Sequence, residues 1–184
     1  MIVLVDENGQ AIGRAEKWSS HHAHTPLHLA FSCYVFDDRG LFLATKRANH
    51  KKVWPGVWSN SVCGHPAPEE SMVDAIQRRL HDELGMAASR FEVVLPRHTY
   101  HAPPFRGIVE YEFCPVFVAR AESEPRPNPL EVATLEWVPW RDFVRAAEQD
   151  TGDVYSWWAK NQLKELRGHP LIAAYSSPPA SSSE

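Results

Sequence analysis

The sequence predicts an α+β domain with mixed and mostly antiparallel sheets. Strand-like runs are joined by short turns, as in "MIVLVDENGQAIGRAE" around Asn8-Gly9 and "HTPLHLAFSCYVFDDRGLFLATKR" across Asp38-Arg39-Gly40. One segment, 69–84, carries Met72, Val73, Ile76, Leu80 and Leu84 at helical spacing, and Gly85 supplies a C-terminal stop. Strands and helices otherwise mix without a steady βαβ rhythm, which argues against an all-parallel sheet.

Taken in order, the first run predicts a β-hairpin and the second a pair of longer strands. The stretch "KKVWPGVWSNSVCGHPAP" is broken by Pro55, Gly56, Gly64 and Pro66 and predicts irregular chain. After the helix, "FEVVLPRHTY" reads as a strand, and "GIVEYEFCPVFVAR" as a second long strand with acids at alternate positions. "ATLEWVPW" predicts a short strand, and "RDFVRAAEQ" and "YSWWAKNQLKELR" predict helices. One domain is expected over 1–170, followed by a flexible Pro/Ser-rich tail over 171–184 that ends in "SSPPASSSE".

The 184 residues include 43% hydrophobic and 11% aromatic side chains, enough to bury a core. A formal net charge of −4 gives no general attraction to nucleic acid or anionic membrane, so neither is expected as a partner. The N-terminal run lacks the basic and apolar regions of a secretory signal, and no apolar stretch of about 18 residues exists to span a membrane. Cys33, Cys63 and Cys114 are odd in number and widely spaced, which argues against a disulfide framework and for a reducing cytoplasm.

Several residues carry chemistry. Glu110 and Glu112 flank Tyr111 on a predicted strand, so both carboxylates leave one face. Two such charges, if buried, need a cation between them; the alternative is a solvent-facing strand edge. His21, His22, His24 and His28 crowd the entry to a strand, and His65 follows Cys63 and Gly64. Imidazole with carboxylate suits a divalent ion such as Mn²⁺, Zn²⁺ or Fe²⁺. The run "KRANHKK" either holds a phosphate group through charge-assisted hydrogen bonds or is a solvated loop.

"GHPAPEESMVDAIQRRLHDELG" resembles a Nudix box: Gly64, then Glu70, Arg78, the pair Asp82-Glu83, and Gly85. Arg79 stands where that family usually has a glutamate, a departure that counts against ordinary pyrophosphohydrolase activity. With "LHLAFS", "WPGVWSNSVCGHP" and "GIVEYEFCPVF" added, the chain is similar to bacterial type I isopentenyl diphosphate isomerases from about residue 6 to about residue 166. The resemblance implies a Nudix-like α/β/α sandwich.

It also implies an isomerase that interconverts isopentenyl and dimethylallyl diphosphate through a carbocation-like intermediate, in isoprenoid biosynthesis. The implied catalytic residues are Cys63, Glu112, Tyr100 and Trp158, with Trp157 as the fallback for the aromatic wall. Lys17, Arg47, Lys51 and Arg79 match the residues that contact the substrate's phosphates. His21, His28, His65, Glu110 and Glu112 match a site for one transition metal, Mn²⁺ or Zn²⁺, and Glu83 with the carbonyl of Cys63 matches a site for diphosphate-bound Mg²⁺. The implied partner is a small isoprenoid diphosphate, and the implied assembly a monomer or weak homodimer. The rival readings are a Nudix pyrophosphohydrolase, for which Cys63 would be dispensable, and a non-catalytic metal- or phosphoprotein-binding module.

Overall fold

The computed structural model describes residues 1–16, 20, 22 and 24–178. A sheet built from seven strands forms its middle layer. Its main path runs β12 (Val132–Pro139), β5 (Leu41–Arg47), β4 (Phe31–Phe36), β11 (Val116–Ala121), β8 (Ala88–Leu95), with β6 (Trp58–Ser59) on β5 and β7 (Val62–Gly64) on β4. Only β4 and β11 pair in parallel here, so the sheet is mixed. β4 is buried along its whole length, and its side chains alternate between two cores. Phe31, Cys33 and Val35 face helix α1 (Met72–Leu84) with Ile76, Leu80 and Leu84. Tyr34 and Phe36 face the other layer, packed with Phe143, Leu163, Leu166 and Ile172. Those residues come from α2 (Trp140–Gln149), α3 (Trp157–Leu166) and α4 (Pro170–Tyr175), so helices cover both faces.

A second sheet of five strands runs β2 (Ala11–Ala15), β1 (Ile2–Val5), β3 (His28–Leu29), β10 (Tyr111–Phe113), β9 (Thr99–His101). β1 and β2 form the hairpin expected at Asn8-Gly9. The Asp6 carboxylate accepts the N–H groups of Asn8 and Gln10 at 2.8 and 2.9 Å, and Gly9 has φ of 79°. A Cβ on Gly9 would lie 2.6 Å from the ring of Phe113, so the turn sits directly on β10.

Three strands expected to be continuous are divided between the two sheets. Residues 28–36 divide at Ala30, 88–101 divide around Pro96, and 107–121 divide at Cys114-Pro115. Proline has no N–H to give to a ladder, so the second and third breaks fall where pairing would fail in any case. The division is bridged by main-chain bonds: Ala30 N–H to the Phe113 carbonyl at 2.9 Å, and Cys114 N–H to the His98 carbonyl at 2.8 Å.

Helix α1 starts three residues later than expected because Ser71 caps it, accepting the Asp74 N–H at 3.1 Å. Val73 is on its exposed face, outside the apolar stripe. Gly85 ends the helix in the left-handed region (φ 55°), giving its N–H to the His81 carbonyl at 2.9 Å. Helix α4 corrects the expectation of a flexible tail from residue 171. Ile172 and Tyr175 are buried, and Arg120 ties the helix down by donating to the Tyr175 carbonyl at 3.1 Å. Among the described residues, no helix is long and apolar enough to cross a membrane.

Candidate active site

Strand register builds the first part of the site. His28 on β3 pairs with Glu112 on β10, and Glu112 pairs with Tyr100 on β9. Paired residues on adjacent strands project to the same side, so these three form one row. The Tyr100 hydroxyl donates to Glu112 Oε2 at 2.6 Å. From β7, whose Cys63 is paired with Ser32 of β4, the chain runs through Gly64 to His65. His65 Nε2 comes within 3.0 Å of Glu112 Oε1 and 3.1 Å of His28 Nε2, and His28 Nε2 is 3.6 Å from the same carboxylate oxygen.

This geometry fits a cation. His28 Nδ1 lies 2.9 Å from the Pro26 carbonyl, which only accepts, so Nδ1 carries a proton. In the neutral ring the Nε2 lone pair then points at a second imidazole nitrogen and a carboxylate oxygen. Such an arrangement is repulsive unless a proton or a metal ion lies among the three. Their ligand atoms lie within 4.8 Å of one another, and two imidazoles with a carboxylate suit a divalent ion of intermediate softness. Burial alone would raise the Glu112 carboxyl, but its bonds with His28 and His65 hold it well below the usual range. Burial would likewise lower His28, and the bond and charge of Glu112 hold it above its usual range instead.

Glu110 precedes β10 and lines the same cavity as Glu112, as the one-face reading of the Glu-x-Glu pair required, but it is not part of the converging group. His21 and Lys17 lie outside the described residues. His22 and His24 are exposed and sit edge to face at 6.4 Å, apart from the group.

The cavity has a volume of about 400 Å³. One part of its wall is apolar and aromatic, with Cys63, Tyr100, Val53 and Trp158. Trp158 is buried on α3, with Trp54 set edge-on against it at 6.4 Å and Phe105 behind Trp54 at 4.9 Å. Trp157 packs on Tyr100 with ring centroids 5.7 Å apart, and the cavity wall is Trp158 and not its neighbour. Burial pushes the Cys63 thiol up to about 12, against the lowering effect of Arg47. The surroundings therefore favour the thiol.

Another part of the wall is strongly charged. Arg47, Lys51, Lys52, Arg78 and Arg79 line it. Lys51 is ion-paired with Glu131, which also takes a bond from Arg79 at 3.2 Å, and Arg79 pairs with Glu83 one turn along α1. Glu83 is buried, and burial holds its carboxyl above the usual range against the charge of Arg79. Glu83 and Cys63 face a common recess of about 10 Å³ beside the main cavity. Gly64 is packed tightly: a Cβ there would lie 3.2 Å from the Arg79 stem and 3.3 Å from Phe31.

Two acids of the Nudix-like segment are thus engaged by arginines. Glu70 accepts from Arg78 at 2.7 and 2.8 Å and from the Ala67 N–H at 2.7 Å, which fastens the loop to the helix. Arg79 brings positive charge where a further carboxylate would be needed to gather metal ions.

Two residues of the site carry no signal that sequence reading used. Glu131 follows a proline-rich connection outside any motif. Only the need of clustered cations for a counter-charge would have pointed to it. Asn60 lies inside a quoted motif, yet it lines the small recess beside the main cavity and not the main cavity itself.

Comparisons with known proteins bear on the family and the fold. Residues 26–158 match the NUDIX domain family. The chain is 50% identical over 165 residues to an isopentenyl-diphosphate Delta-isomerase of Saccharopolyspora erythraea, covering 90% of this chain and 84% of that protein. It is 49% identical over 166 residues to one of Mycolicibacterium vanbaalenii, covering 90% and 91% respectively. Among solved structures, a MutT NUDIX hydrolase from Burkholderia pseudomallei superposes with a TM-score of 0.57 at 21% identity, over 76% of this chain and 97% of that one, which supports the fold alone.

Proposed function

The chain belongs to the isopentenyl-diphosphate Delta-isomerase family on a NUDIX domain, and from that premise we propose which of its residues move the protons. The enzyme interconverts isopentenyl and dimethylallyl diphosphate. One proton must arrive at C4 and another must leave C2. An alkene is a very weak base and its protonation generates a tertiary cation that water would trap. The site therefore needs two proton-transfer groups, a dry slot and a face that tolerates positive charge.

The observation that carries our reading is that Cys63 and the Tyr100–Glu112 pair line one cavity with an aromatic wall. Cys63 and Glu112 exchange the two protons, each contributing roughly 10²–10⁴-fold. The Tyr100 hydroxyl holds one oxygen of Glu112, so the carboxyl keeps a fixed aim. The Trp158 indole faces the developing charge, a cation–π contribution of about 0.5–2 kcal/mol. Trp54 and Phe105 close the slot against water.

Arg47, Lys51 and Arg79 bind the diphosphate, and Lys17 joins them. Fixing that end orients the remote double bond. His28, His65 and Glu112, with His21 and Glu110 completing the set, hold one transition metal, Mn²⁺ or Zn²⁺; when bound it supplies a positive charge that fixes Glu112. Glu83 and the Cys63 carbonyl would supply oxygen ligands for a diphosphate-bound Mg²⁺. Three cysteines outside any disulfide support a cytoplasmic setting, and we keep the expectation of a monomer or weak homodimer with no nucleic-acid or membrane partner.

The test is incubation with isopentenyl diphosphate and Mg²⁺ in deuterated water. Dimethylallyl diphosphate carrying deuterium is the expected product, abolished in Cys63→Ala and Glu112→Gln while both variants stay folded. Normal turnover in either variant overturns the role given to that residue, and phosphate release instead of isomerisation would favour a hydrolase.

A further inference from the structure

We propose that Asn60 is a positioning residue for the isomerisation, pinning the Trp158 indole in the orientation that faces the substrate. This inference rests on the reading of Trp158 as the wall beside the reacting carbons. Asn60 is 1% exposed and Trp158 3% exposed. The indole N–H donates to Asn60 Oδ1 at 2.9 Å. The amide's orientation is not free. Its NH₂ donates to the Val62 carbonyl at 2.6 Å and to the Cys33 carbonyl at 3.3 Å, and carbonyls accept only. The oxygen must therefore face Trp158, where it also takes the Ser59 hydroxyl at 2.8 Å.

A relay continues behind it. Because the Ser59 hydroxyl donates to Asn60, its oxygen is left to accept from the Ser156 hydroxyl at 3.0 Å. Ser156 in turn caps α3, accepting the Ala159 N–H at 3.3 Å. One side chain so connects three elements: β4 through Cys33, β7 one residue before Cys63, and the first turn of α3.

The consequence is rotational. An indole held only by packing can tilt, whereas one whose N–H has a single buried acceptor cannot tilt without leaving that donor unsatisfied. Trp54 stands edge-on to the ring, and the Arg47 guanidinium lies 5.6 Å from its centroid. A ring freed from Asn60 would present a different aspect to the cation, whereas Arg47, which packs on that ring, keeps its own bond to the Val53 carbonyl at 3.2 Å, so the diphosphate end is disturbed less than the wall. Asn60 thus acts on the chemical step through Trp158; it lines the small recess it shares with Cys63 and Glu83 and is not among the residues lining the main cavity.

The deciding experiment replaces Trp158 with benzothienylalanine, which keeps the bicyclic ring and lacks the N–H. With isopentenyl diphosphate, kcat is expected to fall roughly ten- to a hundredfold with KM within about twofold, the scale of a small misplacement. Asn60→Ala is expected to lower kcat similarly in the wild-type background and to add little in the benzothienylalanine enzyme. Wild-type kcat in the benzothienylalanine enzyme overturns the inference, as does a full multiplicative loss on adding Asn60→Ala. Should Asn60→Ala fail to fold, the benzothienylalanine enzyme still decides, since it retains every other bond of Asn60. Trp158→Phe separates the two layers. If it is impaired while the benzothienylalanine enzyme is not, the pin alone fails; if both are unimpaired, the wall reading fails with it.

Discussion

The two ends of the cavity are built differently. At the metal-donor end, His28, Glu112 and Tyr100 stand in one row on three paired strands, and their positions follow from backbone register. At the cationic end, Arg47, Lys51, Arg79 and Glu131 extend long side chains from a strand, loops and a helix; Lys51 and Arg79 are held by Glu131, and Arg47 by the Val53 carbonyl at 3.2 Å. The first end is set by the sheet and permits little adjustment. The second can exchange an internal carboxylate for a ligand's phosphate oxygens. On the assignment proposed above, chemistry that needs fixed angles belongs to the first end, and binding that must open and close to the second.

The contrast can be broken from the rigid side first. Glu112→Gln is expected to reduce kcat by about 10³-fold or more, because it removes a proton carrier as well as a ligand. Product formation followed by NMR measures it, with circular dichroism confirming the fold. His28→Ala should lower bound transition metal about 10–100-fold in affinity, read by metal analysis after dialysis. At the adaptable end, Lys51→Ala is expected to raise KM for isopentenyl diphosphate by about tenfold, the worth of one charge-assisted bond, while kcat changes far less. An equal fall in kcat would erase the distinction between the two ends.

The smallest effect concerns stability. The Arg78 bonds hold the Glu70 carboxyl at about 2, below its ordinary 4.5. A depressed carboxyl contributes stability above pH 4.5 that is lost as pH falls through 2. Glu70→Gln should therefore be less stable than wild type at neutral pH by about 1 kcal/mol, given the partial exposure of the pair. The difference should vanish near pH 2, as urea titrations across that range will show.

Part of the fold was legible in the sequence, as were, at the rigid end, the pair Glu110 and Glu112 and the cluster of candidate histidines, while Tyr100 was identified through resemblance. The hairpin at Asn8-Gly9, the α1 stripe with its Gly85 stop, and the Glu-x-Glu pair all follow from local periodicity and turn chemistry. The division of three strands was not, because Ala30 carries no turn signal, and Pro96 and Pro115, which mark the other two breaks, sit inside runs whose pattern reads as continuous strand. Helix α4 was missed because six residues give too few turns for a periodic pattern, and burial against Arg120 and the core does what propensity cannot. At the adaptable end, Arg47, Lys51 and Arg79 were identified through resemblance, whereas Glu131 and Asn60 act through partners distant in sequence. Asn60 reaches a helix 98 positions away, which no local pattern encodes.

The same three stretches, 28–36, 88–101 and 111–121, contribute to both sheets. One amino acid gained or lost between Phe113 and Val116 would invert inside and outside for everything beyond it. Descendants of this chain can thus lengthen or shorten its connections, but along these shared ribbons they can only exchange one side chain for another. Greasy interior and reactive surface are locked into a common evolutionary fate.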